Sequence, residues 1–202
     1  MKIVKRERLL DAGQLSSTTE WAAATKEIDE AIRSVEWPPG SGSFTLYDEP
    51  GKKRGQGNGV TPIKSECMRR LKAFGWELEK PLDMATVKQP GRSDAARELF
   101  GKYVVLEWET GNISSSHRAL NKMALGLLKG VLVAGVLIVP TRNMYRYLTD
   151  RVGNLAELEP YFPLWSSIKI ENGLLEVVAI EQDGVSKDVP RIQKGTEGRA
   201  LQ

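Results

Sequence analysis

The sequence predicts an α/β fold, a central mixed β-sheet flanked by helices on both sides, and two observations carry that expectation. Val131 to Val139 is an unbroken apolar run, and a strand that is apolar at every position is covered on both faces. Ahead of it come a strand-like segment from Val104 to Glu109 and a helical one continuing from near Ser116 to Leu128, joined by short connections. Strand, helix and strand in that order imply a right-handed crossover within a parallel or mixed sheet. The 202 residues suffice for one substantial core. Residues 1–202 are therefore expected to form a single domain, with 183–202 as a C-terminal arm because apolar periodicity is lost there.

The elements follow in order. Ser17 and Glu20 have capping-box spacing, and Trp21, Ala24, Ile28, Ala31, Ile32 and Val35 repeat at helical intervals. Trp37-Pro38-Pro39-Gly40 ends that helix, and Phe44 to Leu46 is a short strand. Residues 48–59 are nearly free of apolar side chains and carry Lys52, Lys53 and Arg54 among glycines. They read either as a plain surface loop or as a basic segment that closes on phosphates. Thr61 as cap, Pro62 at the first position and an Ile63, Cys67, Leu71, Phe74 stripe mark a second helix, stopped by Gly75. Trp76 to Glu79 reads as a strand ended by Pro81, and Lys88 to Arg92 as a turn into Asp94, which opens a short helical stretch from Ala95 to Phe100. Beyond the apolar strand, Thr141 to Leu148 and Leu155 to Tyr161 read as short helices. Ile168 to Ile170 and Leu174 to Ile180 flank Asn172-Gly173, a type I′ hairpin signal.

Composition excludes several classes of function. The longest apolar run is too short to span a bilayer, and the basic amino terminus lacks an apolar core of signal-peptide length, so a soluble, cytoplasmic protein is expected. Cys67 is the only cysteine and reads as core packing; His117 is the only histidine. A multi-histidine metal site, a histidine-dependent triad and a thiolate zinc site are thereby ruled out. No glycine-rich phosphate loop of the nucleotide-binding kind occurs. A formal charge of +3 agrees with an anionic partner without demanding one.

The acids are more informative. On a strand, alternate side chains leave opposite faces, so Val105, Glu107 and Glu109 share one face while Val104, Leu106 and Trp108 share the other. Two acids on one face fit a solvated edge strand or a site. Asp94 fits a helix cap or a third ligand, and Glu79 is a further candidate. Carboxylates on neighbouring strands and turns are hard oxygen donors suited to Mg²⁺ rather than zinc. A magnesium site of acids in a moderately basic chain points to phosphodiester chemistry.

Longer motifs sharpen this. GNGVTPIKSEC around Lys64, WELEKPLD around Glu79, and above all LEWETGNISSSHRALNKM, then YLTDRVGN, ELEPYF and the terminal KGTEGRA, spread from about Trp37 to Arg199. In these motifs the chain resembles the family of BamHI-like type II restriction endonucleases and their isoschizomers, within the PD-(D/E)xK nucleases. The resemblance implies that family's core. It matches Asp94 to the first acid and Glu107 to the second, and sets Glu109 where most of the superfamily has lysine, a departure the BamHI-like enzymes share. Asp94 and Glu107, with Glu79 near the cluster, are then expected to hold Mg²⁺, two ions per site, with Glu109 as general base. Lys64 is expected to contact phosphate.

The same resemblance implies Mg²⁺-dependent cleavage of double-stranded DNA at GGATCC after the first G, leaving 5′ overhangs. A palindrome calls for a homodimer, and the helix after the central motif and the Thr141 to Leu148 helix are the implied interface, although their apolar faces equally suit an intramolecular core. A companion DNA methyltransferase belongs to such a system without being a physical partner. For base reading, Asn112 has the donor and acceptor pair suited to adenine, and Arg118 suits guanine. Asp150 and Arg151 together suit both halves of a G·C pair. Ser114 lies at the same helix start, where Ser114 to Ser116 are also simply alternative caps. Lys194 to Gly198 matches a minor-groove arm, with Glu197 and Gly198 as contacts, although Glu197 stands where the type member has aspartate. Two rivals remain at this stage: a structure-specific nuclease on the same core, and a DNA-binding protein that does not cut.

Overall fold

The computed structural model describes residues 1–53, 55–85, 90–149 and 152–194. Its strands are β1 (Lys2–Ala12), β2 (Thr45–Tyr47), β3 (Glu77–Leu82), β4 (Gly91–Leu99), β5 (Lys102–Trp108), β6 (Leu132–Pro140), β7 (Gly173–Glu181) and β8 (Gly184–Ser186). Its α-helices are α1 (Thr19–Arg33), α2 (Thr61–Ala73), α3 (Ile113–Leu128) and the short α4 (Arg142–Tyr145), α5 (Leu155–Leu158) and α6 (Phe162–Ser166). Six strands form one mixed sheet in the order β1-β7-β6-β5-β4-β3, and β2 pairs with β8 in a small parallel ribbon. The three central strands, β5, β6 and β7, run parallel, while β1, β4 and β3 are antiparallel to their neighbours.

Every residue of β6 is buried, as the apolar run requires. On one face Ala134, Val136 and Ile138 join the core under α1 and α2; on the other Leu137 and Val139 join the core under α3 and α6. Helices on both sides of the sheet thus follow from a strand that no solvent can touch. Within β6, Gly135 lets α3 approach closely: a Cβ there would lie 2.9 Å from Met123 Cβ. The parallel β5-α3-β6 unit is the expected crossover, and it places the end of β5 beside the start of α3.

Several expectations give way to pairing. Ala95 to Phe100 is not helical; Gly91–Leu99 is the strand β4, so Asp94 sits in a strand and caps no helix. The stretch DAAREL has good helix propensity, but tertiary pairing overrides it. Ala95 and Ala96 are buried in the cores on opposite faces, and a tight turn with positive φ at Phe100 and Gly101 leads straight into β5. The Asn172-Gly173 hairpin does not form either, because β7 already has β1 on one edge and β6 on the other, and Ile168 to Ile170 is no strand. The amino terminus forms the strand β1, mostly exposed or half-buried, in which Lys2, Lys5, Arg6 and Arg8 hide any strand pattern. Pro81 does not end β3, since an edge strand tolerates the missing N–H. Residues 184–194 are tied down rather than trailing: β8 pairs with β2, and Ile192 is fully buried with its N–H donated to Asn58 Oδ1.

Helix starts shift by a few residues. Thr18 rather than Ser17 caps α1, with its Oγ1 accepting the Trp21 N–H. Val60 occupies the cap position of α2, and Thr61 is already helical. Helix α3 begins at Ile113 rather than near Ser116, capped by Asn112. Cys67 is fully buried as expected.

Candidate active site

The acids gather where β4 and β5 part company. Pairing between these strands runs from Leu99↔Lys102 to Ala95↔Leu106. Past that point Asp94 takes over with its side chain: Oδ2 accepts the Trp108 N–H at 2.8 Å. Its other oxygen, Oδ1, accepts from Lys64 Nζ at 2.5 Å, which brings α2 onto β4. Glu107, only 7% exposed, accepts at Oε1 from Lys122 Nζ of α3 at 2.9 Å. The same ammonium donates to the Arg92 carbonyl of β4 at 2.8 Å. Glu109 lies just beyond β5, where its N–H extends the sheet by donating to Ile138 O at 2.9 Å.

Glu107 and Glu109 line a hollow of about 950 Å³ beside α3, together with Arg92, Ser114, His117, Arg118, Lys122 and Tyr161. Asp94 and Glu79 line a second hollow of about 580 Å³ against α2, with Lys64 and Thr110. Glu79 is exposed and has a left-handed φ of 52°, at a point where the β3–β4 register skips a pair.

Electrostatics couple the acids. Burial raises the Glu107 carboxyl above its ordinary value and the Asp94 charge adds to this, while Lys122 and Lys64 oppose it. Among the described residues no lysine pairs with Glu109. Burial, then the charges of Asp94 and Glu107, push it up to about 7, against Lys64 and Arg118. Glu107 and Glu109, whose ionisation burial and neighbouring carboxylates oppose, offer only hard oxygen donors and are chemically suited to a divalent cation. Among the described residues no group of three or more acids, histidines or cysteines is arranged to hold a metal ion as it stands. Lys64 and Lys122 already lie on two of the acids.

The α3 start is built by its own side chains. Asn112 Oδ1 accepts the Ser115 N–H at 3.2 Å, so the residue expected to read adenine is also the helix cap. Ser114 and Arg118 are exposed on the next turns, and Arg118 Nη2 donates to Ser115 Oγ at 3.4 Å. Ser116 is buried and not available at the surface. His117 packs edge-on against Tyr161, with ring centroids 4.6 Å apart, and beside Trp165 at 5.5 Å. The following loop is sewn to this turn, because the Gly153 N–H donates to Gly111 O at 2.7 Å.

Over residues 1–199 the chain matches the family model described as restriction endonuclease BamHI. It is 48% identical over 201 residues to the type II restriction enzyme OkrAI of Oceanobacter kriegii, covering all of both chains. It is 35% identical over 204 residues to the type II restriction enzyme BamHI of Bacillus amyloliquefaciens, covering 96% of this chain and 92% of that one. The chain belongs to the BamHI restriction endonuclease family. As a BamHI-family member it is a type II restriction endonuclease, a site-specific deoxyribonuclease. The fold agrees: a crystal structure of the restriction endonuclease BglII complexed with a DNA 16-mer superimposes with a TM-score of 0.64, covering 91% of this chain and 79% of that one at 9% identity.

Set against the BamHI-family motifs, the structure brings Asp94, Glu107, Glu109 and Lys64 together and places Asn112, Ser114 and Arg118 on the adjoining helix start. Asp150, Arg151, Glu197 and Gly198 lie outside the described residues. Sequence reasoning missed Lys122. Its signal was present: Ser114, Arg118 and Lys122 recur every four residues, which sets them along one helix face.

Proposed function

We propose that this restriction endonuclease acts as a Mg²⁺-dependent homodimer on double-stranded DNA at GGATCC, cutting after the first G to leave 5′ overhangs. The observation that carries the chemistry is the clustering of Asp94, Glu107 and Glu109 at the end of β5, directly before α3. Asp94 and Glu107, with Glu79 at the margin, are the residues that would hold Mg²⁺, two ions per site. When bound, Mg²⁺ supplies a lowered pKa for the attacking water and charge stabilisation for the leaving 3′ oxygen. Glu109 acts as general base: near pH 7 a substantial fraction is ionised and able to accept the water's proton. Lys64 meets phosphate once free of Asp94.

Site choice rests on the start of α3. Asn112, Ser114 and Arg118 offer exposed donors there, and side chains at a helix amino terminus reach base edges in the major groove. The Asn112 amide nitrogen remains available to donate while its oxygen caps the helix. Asp150 and Arg151 read a G·C pair, and Glu197 and Gly198 belong to the minor-groove arm. OkrAI, at 48% identity, supports a shared site. Two-fold pairing of subunits is supported by Leu125 and Leu128 of α3, 36% and 54% exposed, and by Leu164 of α6, 61% exposed. The Trp165 indole N–H donates to Asn121 Oδ1 and holds α6 beside α3. Met144 and Leu148 are buried instead, so the apolar side chains around α4 serve the core. The chain works in the cytoplasm, with a companion methyltransferase protecting host sites; no helix among the described residues is long and apolar enough to cross a membrane.

The test is direct. Plasmid DNA is incubated with purified protein and Mg²⁺, and the ends are sequenced. Discrete ends within GGATCC are expected; ends at another sequence, or heterogeneous ends, would overturn the assigned site.

A further inference from the structure

We propose that Lys122 is a positioning residue that stands in for a divalent cation on Glu107 while the site holds no metal ion, and that it yields Glu107 when the cation binds. The inference rests on the metal-dependent reading above and adds a residue to it. Glu107 is 7% exposed, and a carboxylate so far from water is costly to leave unpaired. The Lys122 ammonium is itself largely covered, at 17% side-chain exposure. It is held by two bonds, to Glu107 Oε1 at 2.9 Å and to Arg92 O at 2.8 Å. It therefore ties α3 to β5 and β4 at once, and it fixes the direction in which Glu107 points. Lys64 occupies Asp94 in the same manner from α2. Among the described residues two lysines thus face three acids, and Glu109 is left without one.

Two cations compete for one carboxylate, because their mutual repulsion at a few ångströms in a partly buried site is large. An ammonium on Glu107 should hold down the affinity of the metal-free enzyme for a divalent ion. Its displacement would leave a positive charge on the α3 face that also carries Ser114 and Arg118.

The test uses calorimetric titration of the full-length, DNA-free protein with Ca²⁺, repeated with Mn²⁺. Lys122→Met should bind the ion about ten-fold more tightly than the unmodified protein, and Lys122→Arg, which keeps the charge, should stay within about two-fold. In a Glu107→Ala background, Lys122→Met should change nothing. If Lys122→Met does not fold, Lys122→Gln serves for the same comparison. Unchanged or weaker binding by the neutral variants, with clear binding by the unmodified protein, overturns the role of Lys122 and leaves metal dependence standing. No binding of either ion by any variant overturns the role of Lys122 as a competitor, and metal dependence is then decided separately by plasmid cleavage with and without Mg²⁺.

Discussion

Asp94 accepts the backbone N–H of Trp108 at 2.8 Å, and Trp108 is the residue between Glu107 and Glu109. The three acids are therefore held as one unit by a bond from a side chain of β4 to the main chain of β5. Glu107→Ala and Glu109→Gln should both bind the recognition site and fail to cut it. Removing a general base costs roughly 100- to 10,000-fold in rate. Gel-shift binding with Ca²⁺ alongside single-turnover cleavage with Mg²⁺ separates the two effects, and normal cutting by either variant would sink the assignment.

Stability should depend on pH through Glu109. Its folded carboxyl sits at about 7, above the ordinary 4.5. The folded protein therefore holds this proton more tightly than the unfolded chain. That contribution is fully present below about pH 4.5 and is lost as pH rises through 7. Glu109→Gln should then stabilise the metal-free protein more at pH 8 than at pH 5, by about 1–2 kcal/mol. Denaturant melts of both proteins at the two pH values measure the difference; an equal effect at each pH would refute it.

Asn112 caps α3, and substitution can part this from the reading role proposed for it. Asn112→Ala removes the cap bond to Ser115 and should cost about 1 kcal/mol of stability. Asn112→Asp keeps an acceptor for the cap and loses the amide donors. It should melt like the unmodified enzyme yet lose discrimination at one base-pair position, by about 1–3 kcal/mol. Unaltered site preference in Asn112→Asp would remove Asn112 from the reading set.

Leu128 is 54% exposed on α3. Leu128→Glu places a charge in the proposed subunit contact, where an unpaired buried charge is strongly unfavourable. Sedimentation velocity should show a dimer for the unmodified protein and a monomer for Leu128→Glu, with little change in the melting temperature at low concentration. A dimer of undiminished stability would move the interface elsewhere.

What was legible in the chain follows from which signals are local. The strand β6 announces itself by its unbroken apolar run, and the stripe of α2 and the alternation of β5 by side-chain period, and the structure has each of them. Strand β4 did not, because Ala95 and Ala96 are small enough to be buried on both faces of a sheet while reading as helix formers. Strand β1 did not, because its partner β7 is more than 160 residues away and its own residues are charged. The acids were recognisable by type and spacing and Lys64 by resemblance, but Lys122 and the pairing of each lysine with its acid were not. Which ammonium reaches which carboxylate depends on how α2 and α3 lie against the sheet.

The Gly153 N–H bonded to Gly111 O joins two turns that are some forty residues apart in the chain. A Cβ on Gly153 would come within 2.8 Å of Ile113 Cα, so the contact admits no side chain and little slack. One of these turns runs directly back into Glu109, and the other follows Asp150 and Arg151. The enzyme is thereby wired as a conjunction. A near-cognate sequence that shifts either turn should disturb the proposed cutting residues in the same movement, so errors of recognition would be rejected at the chemical step as well as at binding.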